Sequence, residues 1–331
     1  MTTKIGISGF GRIGRLVARA AIMDPEVELV AINSTADPEN TARLFKYDST
    51  HGTFQGDVSF DDSHLIVNGK SIPLFCDRDP KNLKWGLYGT EIVIDSTGAF
   101  RTIETAGAHL GDTVKKVIIT APSSDAQMIV MGVNQEAYDP SQPVVSNASC
   151  TTNCLAPVTK VIHENFTIEA AAMTTVHAFT NDQNNLDNRH KDPRRARGCT
   201  QSIVPTSTGA AKAMGKVIPA LNGKMNGFSV RVPTPNVSLV DVVFQLKESP
   251  SVEEVNALLK AAAEGELKGI MGYSDEPLVS IDYNGDCRSS IVDGLSTMKV
   301  GEHLIKVIAW YDNEWGYSVR CVDLAKYIGK H

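Results

Sequence analysis

The chain has 331 residues, with 32 Lys plus Arg against 38 Asp plus Glu, a net charge of −6 with histidine neutral. Apolar residues make up 42% and charged residues 21%, ordinary globular usage that excludes wholesale disorder. The length predicts two domains, the acidic balance argues against nucleic-acid binding, and no run approaches the roughly 18 uncharged apolar residues of a membrane helix.

The first element is Lys4–Ser8 (KIGIS), a buried strand. Residues 12–23 then place Ile13, Leu16, Val17, Ala20 and Ala21 on one helical stripe, and Glu28–Ile32 is a second strand. Between the first strand and its helix, Gly9-Phe10-Gly11-Arg12-Ile13-Gly14 spells G-x-G-x-x-G. In that setting the glycines permit a tight turn and close approach of a pyrophosphate, held by the N–H groups of the helix start. The same fingerprint expects an acidic residue at the end of the second strand. Here Asn33-Ser34-Thr35 stand there, and Ser34 takes the equivalent place. A carboxylate would repel a 2′-phosphate, whereas a hydroxyl donates to it. The site is therefore expected to accept NADP, with a relaxed NAD site as the alternative.

Glu91–Asp95 and Lys116–Thr120 are further buried strands, so the first 120 residues alternate strand and helix. That order implies a doubly wound parallel sheet of the Rossmann type. Near residue 150 the pattern changes. Ala170–Val176, Gly227–Val232 and Ser238–Leu246 are longer, β-branched strands. Helical patterns fall at residues 153–165, 208–218 and 251–265, with a last helix over 315–328. This second part reads as an α+β domain with a mostly antiparallel sheet.

Six cysteines are too few for a disulfide scaffold, and Cys150 with Cys154 lacks the partners of a zinc site, so no metal is expected. The chain start shows no apolar signal-peptide core, and the expected location is cytoplasmic. Cys150 stands just before a helix predicted to begin at residue 151 or 152, where the helix N-terminus favours a thiolate. Cys154 falls inside that helix and reads as a small buried hydrophobe. His177 ends a strand-like run and opens a polar loop, the setting of a side chain that could hold the thiolate and move its proton; a structural histidine is the alternative. With a nucleotide fold, a Cys/His pair points to aldehyde oxidation through a thioester. Local cations offset the acidic average: Arg194-Arg195-Ala196-Arg197, Arg231, and a hydroxyl-rich helix start over 205–212 suit oxyanions, a solvated face or subunit contact being the other reading of the arginine run.

Together these segments, GFGRIGR (9–15), SNASCTTNCLAP (146–157), TTVHAFTNDQ (174–183), RRAR (194–197), PTSTGAAKA (205–213), RVPTPNVS (231–238) and WYDNEWGYS (310–318), closely resemble phosphorylating glyceraldehyde-3-phosphate dehydrogenase along essentially the whole chain. The resemblance implies Cys150 as nucleophile and His177 as base. It implies a substrate-phosphate site at Thr180 and Arg231, with Asp182 orienting the arginine. It implies an inorganic-phosphate site at Ser149, Thr151, Thr208 and Gly209, with Arg195 as an anion-binding arginine of the same loop. For NAD or NADP it implies Gly9, Gly11, Arg12, Ile13 and Gly14 around the pyrophosphate, Arg78 and Thr120 on the adenosine side, and Asn313 on the nicotinamide carboxamide. The substrates implied are D-glyceraldehyde 3-phosphate and inorganic phosphate, the assembly a homotetramer. The domains implied are 1–149 with 315–331 for the dinucleotide and 150–314 for catalysis.

Two positions depart from the NAD-specific pattern: Ser34 in place of Asp, and Arg189 where the family usually has Pro. A lost anion and a gained cation resemble the NADP-using members. Erythrose-4-phosphate dehydrogenase is the nearest rival, disfavoured by the intact Thr206–Ala211 phosphate motif. A redox-sensing NAD-binding protein is the alternative from another class.

Overall fold

The computed structural model describes residues 2–331, which divide into two compact units, one of residues 2–129, 136–148 and 318–331, the other of 130–135 and 149–317.

The first unit is built on a nine-stranded sheet. Thr3–Ser8 lies between Val27–Asn33 and Ile92–Asp95, parallel to both, and Lys116–Ile119, Val144–Ser146 and Gln127–Met128 extend the parallel run. Ile92–Asp95 is buried at every position, as a strand covered on both faces must be. On the other side, Lys70–Phe75 pairs parallel with Val27–Asn33 and continues antiparallel through His64–Val67 to Val58–Phe60. The alternation of strand and helix did not disclose this meander: Val58–Phe60 is an edge strand with little burial, so it lacks the apolar run that marks the others. The helix Arg12–Met23 occupies the predicted span and buries Leu16, Val17, Ala20 and Ala21. It stops at Asp24, already extended at φ −99°, because Asp24 precedes Pro25 and a residue before proline disfavours the helical region.

The second unit carries a sheet in the order Val204–Ser207, Met225–Val232, Ile168–Ala178, Ser238–Leu246, Leu304–Tyr311, Ser290–Asp293, Met271–Ser274, with Met298–Val300 paired to Leu304–Tyr311. Most pairings are antiparallel, as expected. Ile168–Ala178 with Met225–Val232 is parallel, and so is Met271–Ser274 with Ser290–Asp293. Burial alternates strictly along Ser238–Leu246 and Leu304–Tyr311. One face is therefore core, under helix Cys150–Phe166, which also packs on helices Ala210–Val217 and Val252–Glu264. The other face is open and carries a groove of about 440 Å³ lined by Met173, Phe228, Asp241 and Lys306 among others. The α/β fold with a second, mostly antiparallel α+β unit is the one read from the sequence.

Candidate functional site

In the first unit, the glycine fingerprint forms a cradle. Gly9 has φ +87°, a left-handed backbone that side chains disfavour, and a Cβ on Gly14 would overlap the carbonyl oxygen of Gly9. The helix after it is capped by Gly11 with no side-chain bond, and its first turn holds no acidic residue. An anion at this helix start therefore meets the positive end of the helix dipole and no carboxylate in its first turn. Beside it opens a cleft of about 470 Å³. Ser8, Asn33 and Asp95 are register neighbours at the carboxyl ends of three adjacent parallel strands, where the strand order reverses, the general place for a ligand in such sheets. Of the residues expected around the dinucleotide, Gly9, Gly11, Ser34 and Arg78 line the cleft. Asp77, Ser96, Thr97 and Phe100 also line it, and no motif had marked them. Their one sequence signal is position, just past a strand's carboxyl end.

Ser34 is buried, accepts from the Ala36 N–H at 3.2 Å and shares a hydrogen bond with Thr41 Oγ1 at 3.2 Å. Thr41 Oγ1 also donates its single hydrogen to the Ala36 carbonyl at 3.4 Å, so Ser34 is the donor to Thr41 and must turn that hydroxyl to meet a ligand in the cleft. Arg12 and Ile13 open the helix, and the Arg12 guanidinium is tied to Asp48 at 3.1 Å. Burial pushes the Asp48 carboxyl up, but the His51 and Thr50 N–H groups and Arg12 outweigh it and hold it at about 2. Thr120 Oγ1 donates to the Asp95 carbonyl at 3.0 Å. Arg189 and Asn313 belong to the second unit.

In that unit, Ser149 is the N-cap of helix Cys150–Phe166, its hydroxyl accepting from the Thr152 N–H at 3.0 Å. This corrects the predicted helix start: Cys150 is the first helical residue rather than the one before it. Ser-Cys-Thr-Thr are weak helix formers, so propensity hides a turn that the cap secures. Cys154 is fully buried, as predicted.

His177 stands on Ile168–Ala178, in register with Arg231 on the neighbouring parallel strand. Cys150 Sγ lies 3.6 Å from His177 Nε2. His177 Nδ1 lies 2.7 Å from the Ala178 carbonyl oxygen, and Arg231 Nη1 lies 3.1 Å from that oxygen and 3.0 Å from Nδ1. The arrangement that satisfies these distances has Nδ1–H and Nη1–H both donating to the one carbonyl, which has two lone pairs. Nε2 is then an unprotonated acceptor facing the thiol. Burial first, and the Arg231 charge second, push His177 down to about 3. Burial also pushes the Cys150 thiol up, against a downward pull from Arg231. Both shifts favour the neutral forms, and the 3.6 Å contact aligns the thiol and the imidazole for one proton transfer.

Arg231 Nε is buried without a hydrogen-bond partner, and no described carboxylate forms an ion pair with this guanidinium. The expected partner, Asp182, is engaged elsewhere: its carboxylate pairs with Arg195 and lies 3.5 Å from His190. Arg195 also donates to Thr206 Oγ1 at 2.7 Å, so its fork is the one Asp182 orients. Thr180 follows the His177 strand, and its Oγ1 accepts from the Asp182 N–H at 3.4 Å. Thr208 Oγ1 accepts from the Ala210 N–H at 3.2 Å, and Gly209 caps helix Ala210–Val217. Asn313 is buried, and its Oδ1 accepts from Ser238 Oγ at 2.7 Å, which in turn accepts from the Ala178 N–H at 3.0 Å. That leaves the Asn313 amide N–H₂ to donate to a carboxamide. Ser238 and the Ala178 carbonyl are site residues that the sequence reading missed. Ser238 closes the quoted RVPTPNVS segment, and no side chain announces a backbone carbonyl.

Among the described residues no group of His, Cys, Asp and Glu is arranged to hold a metal, and no helix is long and apolar enough to cross a membrane.

Residues 3–103 match the family described as glyceraldehyde 3-phosphate dehydrogenase, NAD binding domain, and residues 149–313 match its C-terminal domain. The chain is 58% identical over 330 residues to glyceraldehyde-3-phosphate dehydrogenase of Geobacillus stearothermophilus, covering 99% of this chain and 98% of the relative. It is 57% identical over 332 residues to glyceraldehyde-3-phosphate dehydrogenase 1 of Bacillus subtilis (strain 168), covering 100% and 99%. It is 53% identical over 323 residues to the Danio rerio enzyme of that name, covering 97% of each. The chain therefore belongs to the phosphorylating glyceraldehyde-3-phosphate dehydrogenase family and is an NAD(P)-dependent oxidoreductase acting on an aldehyde.

Proposed function

We propose that this chain oxidises D-glyceraldehyde 3-phosphate to 1,3-bisphosphoglycerate, reversibly, through an acyl-thioester on Cys150. The observation that carries the reading is the 3.6 Å alignment of Cys150 Sγ with His177 Nε2 beside Arg231. His177 takes the thiol proton and passes it to the aldehyde oxygen as Sγ adds to the carbonyl carbon, which gives a thiohemiacetal and a neutral imidazole again. The nicotinamide dinucleotide, when bound, supplies the hydride acceptor for its oxidation. The Gly9–Gly14 cradle, Ser34 and Arg78 fit such a group, and would hold its pyrophosphate and adenosine ribose. His177 takes the hydroxyl proton as hydride leaves, which gives the thioester. Phosphate oxygen then attacks the thioester carbon, the C–S bond breaks, and the acyl phosphate departs as Cys150 regains its proton. Arg231 and Thr180 would hold the substrate's phosphate; Ser149, Thr151 by its backbone N–H, Thr208, Gly209 and Arg195 the attacking one. Asp182 acts here through Arg195.

Supporting NADP preference, Ser34 stands where a carboxylate would exclude a 2′-phosphate. Arg189 is exposed and would complement the charge if the 178–203 loop reaches a neighbouring subunit. Supporting a homotetramer, Leu186 and Ile203 on that loop are 73% and 70% exposed, and the outer sheet face is open. The proposed domains remain 1–149 with 315–331 for the dinucleotide and 150–314 for catalysis.

Steady-state oxidation with NAD and NADP, each with and without phosphate, tests the reading. The expected result is phosphate-dependent turnover with higher kcat/KM for NADP, and an Asp at position 34 (Ser34→Asp) should reverse the preference. A clear NAD preference of the unaltered enzyme sinks the NADP assignment, and turnover without phosphate sinks the reaction.

A further inference from the structure

Tyr311 ends the strand Leu304–Tyr311, is fully buried, and has no role in the chemistry above. Its hydroxyl lies 2.9 Å from Thr151 Oγ1 and 2.9 Å from Thr175 Oγ1. Thr151 follows Cys150 on the helix. Thr175 lies two residues before His177, so the two side chains share one face of the strand. The ring stands edge-on to the imidazole, centroids 5.9 Å apart and planes at 80°.

The polarity of this chain follows from counting hydrogens. Thr175 Oγ1 donates its single hydrogen to the Leu239 carbonyl at 3.0 Å. Tyr311 must then donate to Thr175, and Thr151 must donate to Tyr311. The three hydroxyls form one directed run from the first turn of the Cys150 helix to the strand beside His177. Burial pushes the phenol up, so Tyr311 keeps its proton over the working range of the enzyme.

We propose that Tyr311 is a positioning residue for the thiol–imidazole pair, its hydroxyl tying the Cys150 helix to the His177 strand while its ring fixes the imidazole plane. It touches neither substrate nor cofactor and acts through Cys150 and His177, so the inference rests on their assignment as nucleophile and base. A helix start and a strand that can slide independently would let the Sγ–Nε2 separation drift, and small misplacements in such pairs are costly.

Tyr311→Phe keeps the ring and removes the hydroxyl. The expected result is a kcat lower by about tenfold, with KM values for aldehyde and cofactor nearly unchanged. The pH profile of Cys150 alkylation by iodoacetamide should move to higher pH. Thr175→Val cuts the same run elsewhere and should reproduce both effects, and the double variant should be no worse than either single one. A lowered melting temperature with unchanged kcat and an unchanged alkylation profile would be the mark of a merely structural tyrosine and would overturn the proposal; so would additive losses in the double variant. If Tyr311→Phe does not fold, Thr175→Val alone decides by the same profile. Alkylation needs no turnover, and Cys150→Ser tests the nucleophile separately, so failure of the positioning role is distinguishable from failure of the reaction.

Discussion

His177 is where two requirements collide. A buried imidazole beside the Arg231 guanidinium resists protonation, yet the proposed chemistry asks it to accept a proton from Cys150. The conflict favours a transient imidazolium, formed only when the thiolate appears 3.6 Å away to compensate it. It also has a consequence for stability. The folded-state value of about 3 lies below the ordinary 6.5, so between them the unfolded chain binds more protons. This contribution is fully present above 6.5 and is lost as pH falls from there toward 3. Melting temperature measured against pH should decline over that window more steeply for the native enzyme than for His177→Asn. Equal slopes would show that the imidazole is not held neutral. The same substitution should lower kcat by about 10²- to 10⁴-fold, the usual share of a general base.

Single elements carry the site in each unit. In the first, the turn between Thr3–Ser8 and Arg12–Met23 works because two positions lack a Cβ. Gly14→Ala should force the turn open against the Gly9 carbonyl, at a cost of about 1–3 kcal/mol expressed mainly as weaker dinucleotide binding. Titration of NAD and NADP by fluorescence quenching checks this, with wild-type affinity as the contrary result. These elements were largely legible in the sequence. Arg12–Met23 was exact because its stripe is regular and Pro25 punctuates it, and Ser238–Leu246 was exact because its alternation is strict. The Cys150 helix began earlier than read, because a serine cap is a local hydrogen bond and not a period. The edge meander from Val58 to Phe75 was missed, because Val58–Phe60 is largely exposed and the two strands after it are short, with few buried residues each. The chemistry-bearing side chains were legible by type and spacing. Their partners were not: that Asp182 serves Arg195, that Ala178 lends a carbonyl to both His177 and Arg231, and that Tyr311 bridges two threonines are long-range facts that no local pattern encodes.

For the whole molecule, the net charge of −6 is an average that hides local cations. Arg231 is a half-buried cation with a buried, unpartnered Nε, and Arg195 lies on the adjoining loop, which is how an acidic chain can take anionic substrates. The exposed Leu186 and Ile203 and the open sheet face predict a four-chain assembly by native mass spectrometry. A monomer at working concentration would contradict it, and would remove Arg189 from any cofactor site. The central claim is the covalent one. When enzyme is mixed with glyceraldehyde 3-phosphate and dinucleotide without phosphate, intact mass spectrometry should find one phosphoglyceryl adduct per chain, mapped to Cys150 and discharged by added phosphate; turnover that persists in Cys150→Ser, or an adduct on another residue, would contradict the account.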